Sequence, residues 1–523
     1  MIRRGLGPAT AMAVVVFALG VAGCGSSSSS GGTIIRGTTD KPVSYDPAGA
    51  YDLPSYDVIY AVYQNLLTVP PGGNTAQPEA AQSCTFKDPT TYECTMRAGD
   101  KFSDGSTLDS KDVKFSFDRN IKIKDPNGAS SLLANVKSID APDPKTVVFN
   151  LAAPDATFPL VLTAASFAIV PADGPNAYAA DKLQPSTSIT GSGRYTLASY
   201  KPSTQTVLQK SAGYSGTDPA KNDQVIIQYY DKSSALKLAL QNGEVDIAYR
   251  SLSPTDVSSL KGASGVNIVS GTGTEIRYLV FNTRLQPGST DAQKLAVRQA
   301  VAQTVDRAAI AKDVYNGTVK PLYSMVPQGL KYADQAFLDA YGASPNLAAA
   351  KKTLADAGVK TPVPLEVWWT PSHYGPSSGD EYAAIKQQLD DSGLFNVTLK
   401  DTEWTQYSTA AFTNKYPAYQ LGWFPDYPDA DDYTASFYSK DSFLNIGYNN
   451  PQMEKLLADE KASTSDATRQ KDFTQIQKIG AQDVPTVPIW QADQVAAVRD
   501  GITGVQETFD PSFIFRYWLI SKN

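Results

Sequence analysis

The sequence predicts an α/β fold, and three observations predict it. Runs rich in β-branched and aromatic residues, such as Thr146-Val147-Val148-Phe149 and Val225-Ile226-Ile227-Gln228-Tyr229, read as strands. Segments whose apolar residues recur at helical spacing alternate with them. Several of these helical segments stop at a Gly and run straight into a strand, which is the step that builds layered sheets. The chain has 523 residues, 42% of them apolar, with Tyr, Phe and Trp spread along it, so there is material for at least two packed cores.

Each element follows from local signals. A helix is expected over 233–241, carrying Ala235, Leu236, Leu238, Ala239 and Leu240, stopped by Asn242-Gly243 and leading into Val245-Asp246-Ile247. One continuous helix is expected over 295–314, with Val297, Val301, Val305 and Ala308 in period and Asn316-Gly317 as its stop. The helix over 347–357 stops at Gly358 before a strand at 365–369, and the helix over 382–389 stops near Gly393 before Val397-Thr398-Leu399. Asn450-Pro451 is a cap and first-turn pair for a helix through Leu457, and another helix is expected over 467–479. No short internal repeat is found, which argues against a solenoid or propeller.

Composition narrows the function. The net charge is −7, and no Lys/Arg block stands out beyond the extreme N-terminus, so a nucleic-acid partner is not expected. Residues 1–23 pair Arg3 and Arg4 with an apolar stretch over 9–22, the layout of an export signal and short for a spanning helix. The segment ends Val21-Ala22-Gly23-Cys24, which resembles the site where bacterial lipoproteins are cut and lipidated, making Cys24 the expected mature N-terminus. The Ser/Gly run over 24–32 fits a tether holding a folded body off a membrane. After residue 24 no apolar run is long enough to span a bilayer.

Cys84 and Cys94 flank the turn signal Asp88-Pro89-Thr90 between two strand-like segments, and an exported chain makes a structural disulfide between them the expectation. His373 is the only histidine, so metal cages and Ser–His or Cys–His catalysis find no partners, and no metal or cofactor is implied. No phosphate-cradling Gly-rich loop occurs. Asp426, Asp429, Asp431 and Asp432 cluster; paired carboxylates suit a glycoside hydrolase, and a solvated acidic loop is the alternative.

An ordered set of strings then carries a resemblance. Met96-Arg97-Ala98-Gly99-Asp100-Lys101-Phe102-Ser103-Asp104-Gly105 continues to Asp112-Val113-Lys114-Phe115-Ser116-Phe117. Gly191-Ser192-Gly193-Arg194-Tyr195 and Gln241-Asn242-Gly243-Glu244-Val245-Asp246-Ile247-Ala248 follow. Leu279-Val280-Phe281-Asn282-Thr283 with Val297-Arg298-Gln299-Ala300, and finally Gly422-Trp423-Phe424-Pro425-Asp426-Tyr427-Pro428-Asp429, complete it. Together they resemble the family 5 solute-binding proteins of ABC importers, the dipeptide and oligopeptide binders and their relatives. On the residues alone, Gly191 and Gly193 suit positive backbone angles, and Asp104-Gly105 suits a turn.

The resemblance implies a two-lobed periplasmic-binding-protein-like (type II) α/β fold, with lobe I over 33–276, an inserted subdomain at about 65–189, lobe II over 277–490, and a return to lobe I over 491–523. It implies chain crossings near 272–280 and 488–495, with the ligand held between closing lobes. It also implies a non-enzymatic, monomeric receptor outside the cell membrane, working with ABC permease subunits and a cytoplasmic ATPase. Asp426 sits where peptide-binding relatives pair an acid with the ligand's α-amino group; the alternative is an Asp that orders its own loop. Trp423 suits stacking on cargo or packing in the cleft wall, and Arg277 suits an anion partner or an interlobe salt bridge. The ligand-binding candidates are Asp426, Trp423, Tyr427, Arg277, Tyr45 and His373. One departure stands out. Dipeptide-binding relatives carry an Arg in the loop that here reads Thr370-Pro371-Ser372-His373-Tyr374-Gly375-Pro376, so an oligopeptide is expected over a dipeptide, with a sugar, opine-like compound or metal chelate as the other cargo classes.

Overall fold

A computed structural model describes residues 32–523 apart from Ser251 and Ser372; the export segment, Cys24 and the tether up to residue 31 lie outside them. The fold is mixed α/β and two-lobed, and an eleven-stranded sheet runs through both lobes. From one edge its order is Phe395–Asp401, Val363–Trp369, Ala418–Trp423, Val266–Phe281, Thr486–Arg499, Ile247–Tyr249, Thr33–Thr38, Gln224–Tyr229, Gln205–Lys210 and Tyr195–Lys201, with Val319–Pro321 also paired to Thr486–Arg499.

The two longest strands, Val266–Phe281 and Thr486–Arg499, join the lobes. They pair antiparallel, and their register slips between Gly271 and Glu275. The slip coincides with a change of core. Val269, Ala496 and Val498 pack in the core of the first lobe, whereas Leu279, Phe281, Val487 and Ile489 pack in one core of the second and Ile276, Tyr278 and Val280 in another. Gly271 and Gly273 sit at the slip where neighbours are too close for side chains: a Cβ would lie 2.5 Å from Cβ of Phe509, in the C-terminal segment, and 2.4 Å from the carbonyl oxygen of Ala492, on the paired strand, respectively.

Most expected elements form with sharp caps. The helix Ser233–Asn242 ends at Gly243 with φ 80°, and Asn450 accepts from the amides of Gln452 and Met453 to start Pro451–Ala462. The helices Leu347–Asp356, Ser378–Asp391 and Asp466–Asp483 cover the other expected segments. The helix expected over 295–314 is broken. Asp291–Thr304 stops at extended Val305, and Asp306 then caps a new short turn through the amide of Ala309, which winds into the π-helical turn Ile310–Val314. The apolar period hid the break because Val297, Val301, Val305 and Ile310 all face the same core.

A smaller antiparallel sheet orders Ala81–Asp88, Thr91–Met96, Thr146–Leu151 and Val136–Asp143. Cys84 stands directly opposite Cys94 in it, and the two form a disulfide with Cα atoms 4.0 Å apart. The Gly191 and Gly193 expectation needs correcting: neither has a positive φ. Gly193 instead donates its amide to the carbonyl of Val62 at 2.7 Å, and a Cβ on it would lie 2.5 Å from that carbonyl carbon. Gly105 does take a positive φ, 88°, in its turn. Among the described residues no helix is long and apolar enough to cross a membrane.

Candidate functional site

Between the lobes lies a cleft of about 1140 Å³, walled by Tyr51, Tyr56 and Arg250 on one side and by the loops after Val363–Trp369 and Ala418–Trp423 on the other. Both loops leave the ends of sheet strands, where side chains no longer have a facing layer to pack on and open onto the cleft. No residue of the smaller four-stranded sheet lines it.

Asp426 is one of the acids that line this cleft, with Asp40, Asp52, Asp231, Glu275 and Asp493. Its Oδ2 accepts from the Tyr51 hydroxyl across the lobes at 2.8 Å, and no cation of the described residues lies within ion-pair distance. Asp426 and Tyr51 both keep surface open to the cleft, yet protein surrounds them on most other sides. That burial pushes the Asp426 carboxyl up to about 7, the Tyr51 hydrogen bond opposing it.

Asp432 builds the loop that presents Asp426. Its Oδ2 accepts from Nε1 of Trp423 at 2.9 Å and from the amide of Asp426 at 3.0 Å. The remaining acids of the cluster are internal, which corrects the solvated-loop alternative. Arg469 grips Asp429 through two bonds, of 2.9 and 2.7 Å, and Asp431 accepts from the Tyr427 hydroxyl at 2.7 Å with Lys461 at 3.5 Å. These acids are fixed by partners in the protein itself, so the clustered carboxylates do not form a free acid–base pair.

The other candidates divide. Trp423 lines the cleft, stacked on Phe443 at 5.3 Å. His373 also lines it, exposed on one side and stacked on Trp404 at 3.6 Å between ring centroids; the protein crowded around it and the positive charge of Arg277 both pull its pKa down, to about 4. Arg277 reaches the cleft but is committed: it pairs with Glu275 at 2.7 Å and is sandwiched by Tyr374 and Trp490 at 4.3 and 4.9 Å. Gly422 makes room for it, since a Cβ there would lie 2.3 Å from its guanidinium. Tyr45 and Tyr427 are not on the cleft. Tyr45 is fully buried in the first lobe, bonded to Thr206 at 2.5 Å and Tyr229 at 3.0 Å. Tyr427 leaves its own lobe and packs into the core of the other.

Sequence reasoning missed several cleft residues. Arg250 lines the wall with φ 59°, paired to Asp40 at 2.7 Å and stacked on Phe424 at 4.7 Å. Tyr51, Trp404, Phe412 and Phe443 also line it. For Tyr51 and Phe443 an aromatic residue in a polar loop was the available signal, whereas Trp404 and Phe412 are the two ends of one helix.

The comparisons agree with this geometry. The model of "Bacterial extracellular solute-binding proteins, family 5 Middle" matches residues 75–445. The probable D,D-dipeptide-binding periplasmic protein DdpA of Escherichia coli K12 is 24% identical over 489 residues, 90% of each chain. The crystal structure of the ABC transporter substrate-binding protein CtaP of Listeria monocytogenes superposes with TM-score 0.80 at 25% identity, covering 94% of this chain and 99% of that one. AgaA of A. tumefaciens R10, solved with agropinic acid, gives 0.76 at 25% identity over 94% and 99%. With a family model spanning most of the chain, an interlobe cleft and two lobes joined by paired crossing strands, the protein belongs to the family 5 bacterial extracellular solute-binding proteins.

Proposed function

We propose that the protein captures a peptide with a free α-amino group in the interlobe cleft, an oligopeptide in preference to a dipeptide, and delivers it to the permease of an ABC importer. The observation that carries this reading is Asp426, an acid with no cation of the described residues within ion-pair distance, facing an interlobe cleft that Tyr51, Trp423, Phe424 and Phe443 also line. A ligand ammonium supplies the missing charge, and the pairing strengthens as the closed cleft excludes water. The cleft exceeds the usual small-ligand range of about 300–1,000 Å³, in keeping with a cargo longer than a dipeptide. The crossings at the slip between Gly271 and Glu275 serve as the hinge. No covalent step belongs to this reading, and the protein acts as a receptor.

The test is a double cycle by calorimetry. Asp426→Asn should weaken binding of a free-amine peptide by about 2–5 kcal/mol, and N-acetylation of the peptide should cost the parent a similar amount. The two losses should not add, because each removes the same ion pair. Additive losses, or full affinity for the acetylated peptide, would assign Asp426 to loop ordering and return the cargo to a sugar, opine-like compound or metal chelate.

The same reading anchors the mature protein to the outer face of the membrane through lipid on Cys24. Fractionation decides it: Cys24→Ser should move to the soluble fraction, and equal membrane retention would rule the anchor out.

A further inference from the structure

The cleft wall of the second lobe carries more exposed aromatic surface than its own packing requires. Two clusters stand at opposite ends of the helix Trp404–Phe412. At its start, Trp404 stacks on His373 at 3.6 Å and 2°, with Tyr374 edge-on to both at 4.7 and 5.7 Å. At its end, Phe412 meets Phe443 edge-on at 5.5 Å, and Phe443 stacks on Trp423 at 5.3 Å. All six rings line the cleft, and Phe443 remains 38% exposed. Rings that pack on one another on one side and face a cavity on the other keep an unsatisfied apolar face.

We infer that these clusters are two separate subsites for apolar side chains of the cargo, aromatic ones above all. The inference rests on the peptide reading above and deepens it. The Phe412–Phe443–Trp423 subsite adjoins Asp426 through the loop that begins at Trp423, so it receives a side chain near the peptide's N-terminus. The Trp404–His373–Tyr374 subsite lies farther along. Eight residues of helix separate Trp404 from Phe412, about 12 Å, and an extended peptide rises about 3.3 Å per residue, so the second side chain sits three or four residues beyond the first. His373 stays neutral above about pH 4, which lets its ring serve as apolar surface rather than as a charge. The loop that lacks the carboxylate-holding Arg thus offers ring surface in its place.

The experiment incubates purified protein with an equimolar library of free-amine hexapeptides and sequences the retained ones by mass spectrometry. Aromatic and large aliphatic residues should be enriched at least about tenfold at two positions, the size of effect that burying one such side chain produces. Phe443→Ala should abolish enrichment at the position nearer the N-terminus alone, and Trp404→Ala at the distal position alone. Phe412→Ala and Trp404→Leu repeat the two arms with different packing changes, and thermal melts confirm that each variant is folded. Peptides retained with flat side-chain usage would overturn the subsites and leave the peptide reading standing. No retained peptide of any composition would overturn both.

Discussion

If Asp426 holds the ligand's ammonium as proposed, its raised carboxyl gives binding a pH dependence. Burial raises it to about 7, and Asp52, which also lines the cleft, to about 6. In the proposed complex a ligand ammonium pairs with the ionised carboxylate, so affinity should fall as pH drops from 7.5 to 5, approaching about tenfold per unit once Asp426 is mostly protonated. Calorimetry across that range checks it, and in Asp426→Asn only the smaller contributions of Asp52 and of Asp432, whose carboxyl is pushed up by burial and by the charge of Asp426, should remain. An affinity that is constant from pH 7.5 to 5 would contradict the ion pair. The stability sign is opposite to that of a salt-bridged acid. With the folded pKa above the ordinary aspartate value, this group binds more protons in the ligand-free fold than in the unfolded chain between about 4 and 7, so stability at this group is lost as pH rises through that window. At this scale the sequence carried Asp426 and Trp423 because both sit in one contiguous string. It did not carry Tyr51, whose contact with Asp426 joins positions 375 residues apart.

Elements were legible wherever their signals were local. Asn242-Gly243, Gly358 and Asn450-Pro451 mark helix ends in the chain itself, and the turn at 88–90 put Cys84 and Cys94 opposite each other. The break at Val305 was hidden because apolar period reports which way a side chain faces, not whether the helix between is continuous. Gly191 and Gly193 show the same limit: a glycine can answer to its own φ or to another chain's proximity, and only the second operates here. The consequence is measurable. Gly193→Ala should destabilise the protein by about 1–3 kcal/mol, since the obstructing atoms are the backbone of Ala61 and Val62 and no rotamer change relieves them. Gly213→Ala is the control, with nothing within 4 Å of its Cβ, and should be neutral or slightly stabilising. Equal denaturant midpoints for the two variants would refute the close-approach account.

Across the whole molecule the lobes meet through a second contact away from the cleft. Lys461 of the second lobe lies 3.8 Å from Asp155 of the first and 3.5 Å from Asp431 of its own, and its carbonyl accepts from the amide of Ala156 at 2.7 Å. Tyr427 inserts into the first lobe's core beside it. Losing the cation leaves Asp155 and Asp431 facing each other's charge, so Lys461→Met should favour open lobes. X-ray scattering of the ligand-free variant should show a larger radius of gyration than the parent, and apparent affinity should weaken about threefold or more as the closed fraction falls. Unchanged scattering and affinity would mean that this contact does not bias closure. What the sequence determined by itself was whatever is encoded over a few adjacent residues: the α/β class, the caps, the hairpin that brings its two cysteines together, and the strings that mark the family. Tertiary structure alone decided which side chains face the cleft. It left Asp426 without a cation among the described residues while committing Arg277 to Glu275, sent Tyr45 and Tyr427 into a core, and gathered rings from 373 to 443 on one wall. The physical reason is that a site between lobes is built from contacts of long sequence separation, and burial, pairing and free charge are properties of those contacts rather than of any local pattern.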